Sequence, residues 1–474
     1  MNKRKERAYV EHQPKWQRFQ TTLMKPATKT AAASAKDSSN SSKSDNKPVL
    51  HPYQRQYAHV YHQRLAQLKP RCWDTINAKN SVANPSAAKI ERILELQENV
   101  PSLLVGTVVK EGTVDGSGGD DALHPDSKCR SNQSVFVEDE SGRVNLTVSN
   151  VHDFCTGMVL GLQGTVGVDG CFTVEQVFYP ALPPHPKPSS SNLDKKDSKA
   201  KATTPHLLLL SGLNCGDPNI SPLRRDTILS YLRGHFDSPS AHKVAHVIIA
   251  GGSTTGHDEH PTVGIKELDA FCYQICSAGV PVDILPGKED PTTANWPQRP
   301  LHKSLLKQTD RKMAALLSRV PNPYGAVFDQ TYVLGTDGTN VTDLSQSLLV
   351  SSTASNAQDA MEQDQHDDDT NEPKLVPVTQ LQALKRTLKC GHMCPTGPDT
   401  VPTMPHPEMD PMVFPQTPHI YFAGNCDAFE TELVEENDRK VRLICLPKFS
   451  SSGEAVLVNI ETLDCKSIHF PDPN

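Results

Sequence analysis

The sequence predicts an α+β protein built as two bodies: a small closed β-barrel, then a two-sheet sandwich with helices outside. Three observations carry this. Between about residues 101 and 180, apolar residues recur with a period of two between Gly, Asp and Ser turns. From about residue 204 the rhythm becomes apolar strand, glycine-marked loop, helix. From His419 onward it returns to strands, with HIYFAGN, KVRLICLPKFS, AVLVNIETLD and CKSIHF following one another.

The chain has 474 residues, enough for about two or three domains and a substantial core. Its formal charge of −7 is local in origin. Asp359, Glu362, Asp364, Asp367, Asp368, Asp369 and Glu372 supply seven negatives without an intervening Lys or Arg, and without them the chain is formally neutral. A globally basic nucleic-acid binder is therefore not indicated. The first 26 residues lean the other way, with Lys3, Arg4, Lys5, Arg7, Lys15, Arg18 and Lys25 against Glu6 and Glu11. Such an arm suits nuclear import, contact with a phosphate backbone, or a solvated terminus. Twelve scattered cysteines and no secretory leader point to reduced thiols in the cytosol or nucleus. No window approaches the roughly 20 apolar residues of a membrane span.

In chain order, 1–50 reads as a disordered basic arm and 51–100 as a helical segment docking on the body. Tyr57, Val60, Tyr61, Leu65 and Leu68 share a helical face that Pro70 should end, and a second short helix is expected over Ala87–Gln97 from Ile90, Ile93 and Leu94. Within 101–180, LLVGTVVKEG, two strands around Ser141-Gly142, and a hairpin at Asp169-Gly170 make four or five strands, a barrel of the OB type. Asp169-Gly170 suits a type I′ turn. Its aromatic residues, Phe136, Phe172, Phe178 and Tyr179, suit a core as well as a base-stacking platform.

Residues 181–203 read as a linker, and 204–474 as the sandwich with a disordered acidic insertion at 352–373. HLLLLSG, VAHVIIAGG and VPVDILPG are near-continuous apolar runs, as strands covered on both faces should be. Helices are expected over Leu223–Arg233, Gly264–Ala278 and Thr379–Cys390, ended by Gly234, Gly279 and Gly391.

Three of the strands run into glycine-marked loops, where an α/β protein places its ligands. A two-metal hydrolase would need Asp oxygens and His nitrogens there, converging on ions roughly 3.5 to 4 Å apart. The chain from Arg55 onward resembles the small, or B, subunit family of eukaryotic DNA polymerase delta. The match is carried by RQYAHVY (55–61), VEDESGRVNL (137–146), SGLNCG (211–216), VPVDILPGKEDPTT (280–293), PTGPDT (395–400) and HIYFAGN (419–425). The resemblance implies an OB barrel packed on a calcineurin-like phosphoesterase domain that is catalytically dead.

Against the active phosphoesterase pattern the ligand positions are emptied one by one. Gly212 and Asn214 stand where Asp-x-His should close the first strand. Gly252 and Thr255 stand where Gly-Asp-x-x-Asp should follow the second. Lys288 and Glu289 replace Asn and His, leaving Asp290, and an ammonium at Lys288 would repel metals. Asn425 and Asp427 replace the two terminal histidines, while His392 matches a position that active relatives keep. The expectation is no catalytic residue, no metal and no cofactor, with Asp290 and His392 in structural hydrogen bonds. Cys390, His392 and Cys394 lack the paired spacing of a zinc site.

Other motifs are thin. The Gln20 to Leu23 stretch begins like a clamp-binding box but meets Pro26 and Ala27 where aromatic anchors belong, and AGGSTTG lacks a phosphate-binding lysine. By the resemblance, the expected function is a nuclear, non-catalytic scaffold joining the polymerase delta catalytic subunit, through its C-terminal cysteine-rich module, to the third subunit. That scaffold reaches the sliding clamp indirectly, contacts DNA weakly or indirectly, and is shared with the polymerase zeta catalytic subunit in translesion synthesis. The alternatives are an active metal-dependent phosphodiesterase or 3′–5′ exonuclease, and a single-strand DNA-binding OB module.

Overall fold

The computed structural model describes residues 58–83, 87–112, 133–186, 205–235, 243–255, 261–351, 375–406, 408–436 and 438–471. The basic arm, the acidic insertion and most of the linker expected above lie outside these residues.

Helix α1 (Ala58–Ala83) runs through Pro70 instead of ending there. A proline inside a helix costs about 3 kcal/mol or more through its missing N–H and ring clash. Here Pro70 and Ala66, whose carbonyl loses its partner, both face solvent, while Leu68, Cys72 and Ile76 on the other face are buried against the barrel. Burial on both sides of the proline outweighs the local defect.

The barrel consists of β1 (Ala88–Lys89), β2 (Ser102–Gly112), β3 (Gln133–Glu138), β4 (Arg143–Thr147), β5 (Val159–Val166) and β6 (Phe172–Phe178), closed by pairing of β2 with β5. No helix forms over Ala87–Gln97. That stretch holds β1 and a single 3-10 turn at Ile93–Glu95, and Leu94 is exposed. The reason is local competition: the Ile93 N–H donates to the Asp139 carboxylate at 2.9 Å and the Leu94 N–H to the Ser141 hydroxyl, so the donors a helix would use are taken. The β5–β6 connection also departs from expectation. Gly170 alone is left-handed, the Gly170 N–H donates to the Gly167 carbonyl, and the Gly167 N–H donates to the Cys171 carbonyl, so this is not a type I′ turn.

The sandwich follows in order: β7 (His206–Leu210), α2 (Leu223–Leu232), β8 (Val244–Ala250), α3 (Pro261–Ser277), β9 (Val282–Leu285), α4 (Lys307–Met313), β10 (Leu317–Arg319), β11 (Tyr324–Phe328), β12 (Thr331–Thr336), α5 (Thr339–Ser347), β13 (Leu349–Ser351), β14 (Leu375–Pro377), α6 (Gln380–Lys389), β15 (Ile420–Cys426), β16 (Glu430–Glu436), β17 (Arg439–Pro447), α7 (Phe449–Ser452), β18 (Glu454–Asn459) and β19 (Cys465–His469). One sheet has the order β10-β9-β8-β7-β18-β19, parallel from β10 to β7, and the other β11-β12-β15-β17-β16. Leu207 and Leu209 of β7 face the opposite sheet, whereas Leu208 and Leu210 face α2 and α3. Coverage on both faces is what the continuous apolar runs require. Thr379 caps α6 in a reciprocal box with Gln382.

The barrel and the sandwich share one core. Phe154, Met158 and Phe172 of the barrel pack in the same cluster as Leu384 and Leu388 of α6 and Tyr421 of β15. The fold is thus α+β, with an OB-type barrel seated on the outer helix layer of a two-sheet sandwich.

Candidate functional site

The loops after β7, β8 and β9 and the end of β15 meet at one end of the two sheets, as the strand-loop-helix rhythm implied. Their backbones lock together. The Gly212 N–H donates to the Gly251 carbonyl, Asn214 to Gly252, Cys215 to Ser253, and Gly251 to Leu285. A Cβ on Gly287 would lie 2.7 Å from the Gly252 nitrogen, and one on Gly252 would collide with the Asn425 side-chain oxygen. Only glycine permits that approach, and Gly252 also has φ +60.

Asn425 fills the centre from the other sheet. Its amide donates to the carbonyls of Asp337, at 2.9 Å, and Ala250, at 3.3 Å. This short amide ties two loops together. Two carboxylates are buried beside it. Asp290 accepts from the N–H groups of Gly287, Thr254 and Ser253 and from the Thr254 hydroxyl. Asp337 accepts from Lys288 N–H, the Asn322 amide, and both the N–H and hydroxyl of Thr339. Burial pushes both carboxyls up from the usual range, and the hydrogen bonds oppose it. Neither has a cationic partner among the described residues.

The remaining predicted positions scatter. Lys288 and Glu289 are exposed, so the Lys288 ammonium points to solvent instead of occupying a metal position. Asp427 is exposed, its N–H donating to the Gln380 side chain. Thr255 is half-buried next to the Cys215 backbone. His392 belongs to a different constellation. Among the described residues no group of three or more His, Cys, Asp or Glu side chains is placed to hold a metal ion.

His392 receives the Cys394 N–H on Nδ1 and so carries its proton on Nε2, which donates to Asp410 at 2.8 Å. Asp410 also accepts from Arg64 Nε at 2.8 Å, and both side chains of that pair are fully buried. The Arg64 guanidinium further donates to the carbonyls of Gly157 on the barrel and of Pro395 and Gly397 on the sandwich. Burial, then the Arg64 charge, pulls the His392 imidazole down to about 4, so it is neutral. Burial would raise Asp410, but His392 and Arg64 outweigh it and hold that carboxyl well below the carboxylate range. The cluster pins α1, the barrel and the sandwich at one point. Arg64, Asp410, Asp337 and Asn322 carry much of this chemistry and were not singled out from the sequence. Their spacing follows no local motif.

The singled-out sequence stretches prove to be each other's partners. Tyr61 of RQYAHVY donates to Asp399 of PTGPDT at 2.7 Å, next to the Arg64 contacts. In VEDESGRVNL, Asp139 accepts from the N–H groups of Ser141 and Gly142 and of Ile93, closing the β3–β4 turn onto the β1–β2 connection. The barrel aromatics are also committed. Phe172 and Phe178 are fully buried, Tyr179 is held by Arg386 of α6, and the Phe136 ring is covered by Arg143, 4.1 Å from its centroid. Glu111 and Glu138 neutralise that arginine.

No helix among the described residues is long and apolar enough to cross a membrane. The family model for the B subunit of DNA polymerase alpha/epsilon matches residues 207–431, and the DNA polymerase delta subunit OB-fold domain matches 56–177. The chain is 30% identical over 447 residues to DNA polymerase delta subunit 2 of Drosophila melanogaster, covering 89% of this chain and 94% of the relative. It is 28% identical to the DNA polymerase delta small subunits of Oryza sativa subsp. japonica, over 88% and 93% of the two chains, and of Saccharomyces cerevisiae, over 88% and 89%. A solved archaeal phosphodiesterase aligns over 56% of the chain at 12% identity with a TM-score of 0.25, too low to bear on activity. An OB barrel fused to a sandwich whose ligand loops are closed on themselves, matched along nearly its whole described length, belongs to the DNA polymerase delta small subunit family.

Proposed function

We propose that the chain is a non-catalytic accessory subunit of nuclear DNA polymerase delta that bridges the catalytic subunit's C-terminal cysteine-rich module and the third subunit. The observation that supports this reading is the closed loop cluster: Asn425 and the Gly252–Gly287 backbone contact fill the point where the loops meet. A body freed of catalysis and made rigid by the shared barrel–sandwich core suits a scaffold. We extend the same reading to an indirect link with the sliding clamp and to sharing with polymerase zeta. The division into a 101–180 barrel and a 204–474 sandwich is the architecture it assumes.

The test is co-purification of the full chain with the catalytic subunit's C-terminal module. A stable pair is expected, and two soluble proteins that never associate would sink the reading. The hydrolase alternative predicts manganese-stimulated cleavage of a model phosphodiester, lost on Asp290→Ala. Direct strand binding through the barrel predicts affinity that falls steeply with salt and depends on Phe136. The commitment of Phe136, Phe172, Phe178 and Tyr179 disfavours it.

A further inference from the structure

Strand β16 is the outermost strand of its sheet and pairs with β17 alone among the described residues. In an antiparallel pair alternate N–H and C=O groups turn away from the neighbour, so β16 presents an open backbone ladder. None of its seven residues is fully buried. Its charge has one sign: Glu430, Glu432, Glu435 and Glu436, with exposed Asp427 just before. Lys385 pairs with Glu432 and Lys440 with Glu435, and no cation lies within ion-pair distance of Glu430 or Glu436 among the described residues. By the period of two, Glu430, Glu432 and Glu436 share one face of the strand.

The N-terminal arm carries the complementary pattern. Lys3, Lys5 and Arg7 stand at alternate positions with Arg4 between them, and no proline interrupts the backbone before Pro14. Extended, such a segment places three cations on one face and keeps every N–H available for pairing. The chain between Arg7 and Ala58, at about 3.3–3.6 Å per extended residue, is long enough to reach any edge of the sandwich. We propose that residues 3–10 of this chain add to the open edge of β16 as an extra strand, their lysines and arginine set against its glutamates. Docked there, the arm is unavailable to an import receptor or a phosphate backbone, so whatever competes for it also opens the β16 edge.

Hydrogen exchange on the full chain at low salt tests this. The outward amides of 430–436 should exchange several-fold more slowly in the wild type than in a Lys3→Glu/Lys5→Glu/Arg7→Glu variant. Glu430→Lys/Glu436→Lys should lose the same protection, and combining the two sets should restore it. Equal exchange in wild type and arm variant would overturn the proposal, leaving the glutamates as a device against sheet-to-sheet association. Protection that rises with protein concentration would also overturn it, because the arm would then come from a second copy.

Discussion

Two of the places that bury carboxylates among the described residues treat them in opposite ways. At the closed loops, Asp290 and Asp337 are met by backbone N–H groups, hydroxyls and an amide, and burial raises both carboxyls. At the junction of α1 with the two bodies, Asp410 is met by a guanidinium and an imidazole N–H, and its carboxyl is depressed. At the loops the chain supplies neutral dipoles, and it keeps a full positive charge where α1, barrel and sandwich meet. A buried charge with its counter-charge is sensitive to geometry in a way that apolar packing is not, which suits it to fixing one arrangement of bodies.

The comparison breaks most sharply at Arg64. Arg64→Met leaves Asp410 buried without its cation and should cost about 3–5 kcal/mol in denaturant unfolding. A loss under about 1 kcal/mol would show that the junction does not depend on charge.

The second effect is in pH. His392 is lowered from 6.5 to about 4 in the folded chain, so the unfolded state takes up a proton first as pH falls. Stability from keeping it neutral is complete above about pH 6.5 and is lost progressively toward pH 4, on the order of 3 kcal/mol in all. His392→Gln should flatten the stability profile in that window. An unchanged slope would place the titration elsewhere.

At the loop cluster, Asp290→Ala orphans the N–H groups of Gly287, Ser253 and Thr254 and should cost about 1–3 kcal/mol. Raised carboxyls also predict the opposite pH sign: the cost of burying their charge eases as pH falls through the folded value, so the Asp290 variant should lose that easing. The smallest effect is expected for Gly252→Ala, about 1–2 kcal/mol from a left-handed φ plus the Asn425 clash. Thermal unfolding that leaves Gly252→Ala at the wild-type midpoint would mean the loops are looser than their contacts imply.

Much of this was legible in advance where it depended on local order. The runs HLLLLSG, VAHVIIAGG and VPVDILPG announced strands covered on two faces, and Thr379 and Gly391 announced the ends of α6. The glycine-marked loops could be located because Gly212, Gly252 and Gly287 follow those strands directly. Pro70 misled because its cost is local while its compensation, Leu68 and Cys72 against the barrel, comes from residues far along the chain. Ile93 and Leu94 misled because a helical pattern of apolar residues was overridden by the side chains of Asp139 and Ser141.

The sequence by itself determined the α+β plan and the glycine-marked loops, since periodicity and turn chemistry are properties of neighbouring residues. Only the tertiary structure decided that Lys288 is exposed, that Asn425 and Asp337 close the loops, and that Asp410 joins Arg64 to His392. Asn425 meets Asp337 across 88 positions and Arg64 meets Asp410 across 346, and what selects such pairs is burial, where a charge or an amide must find a partner wherever the fold provides one.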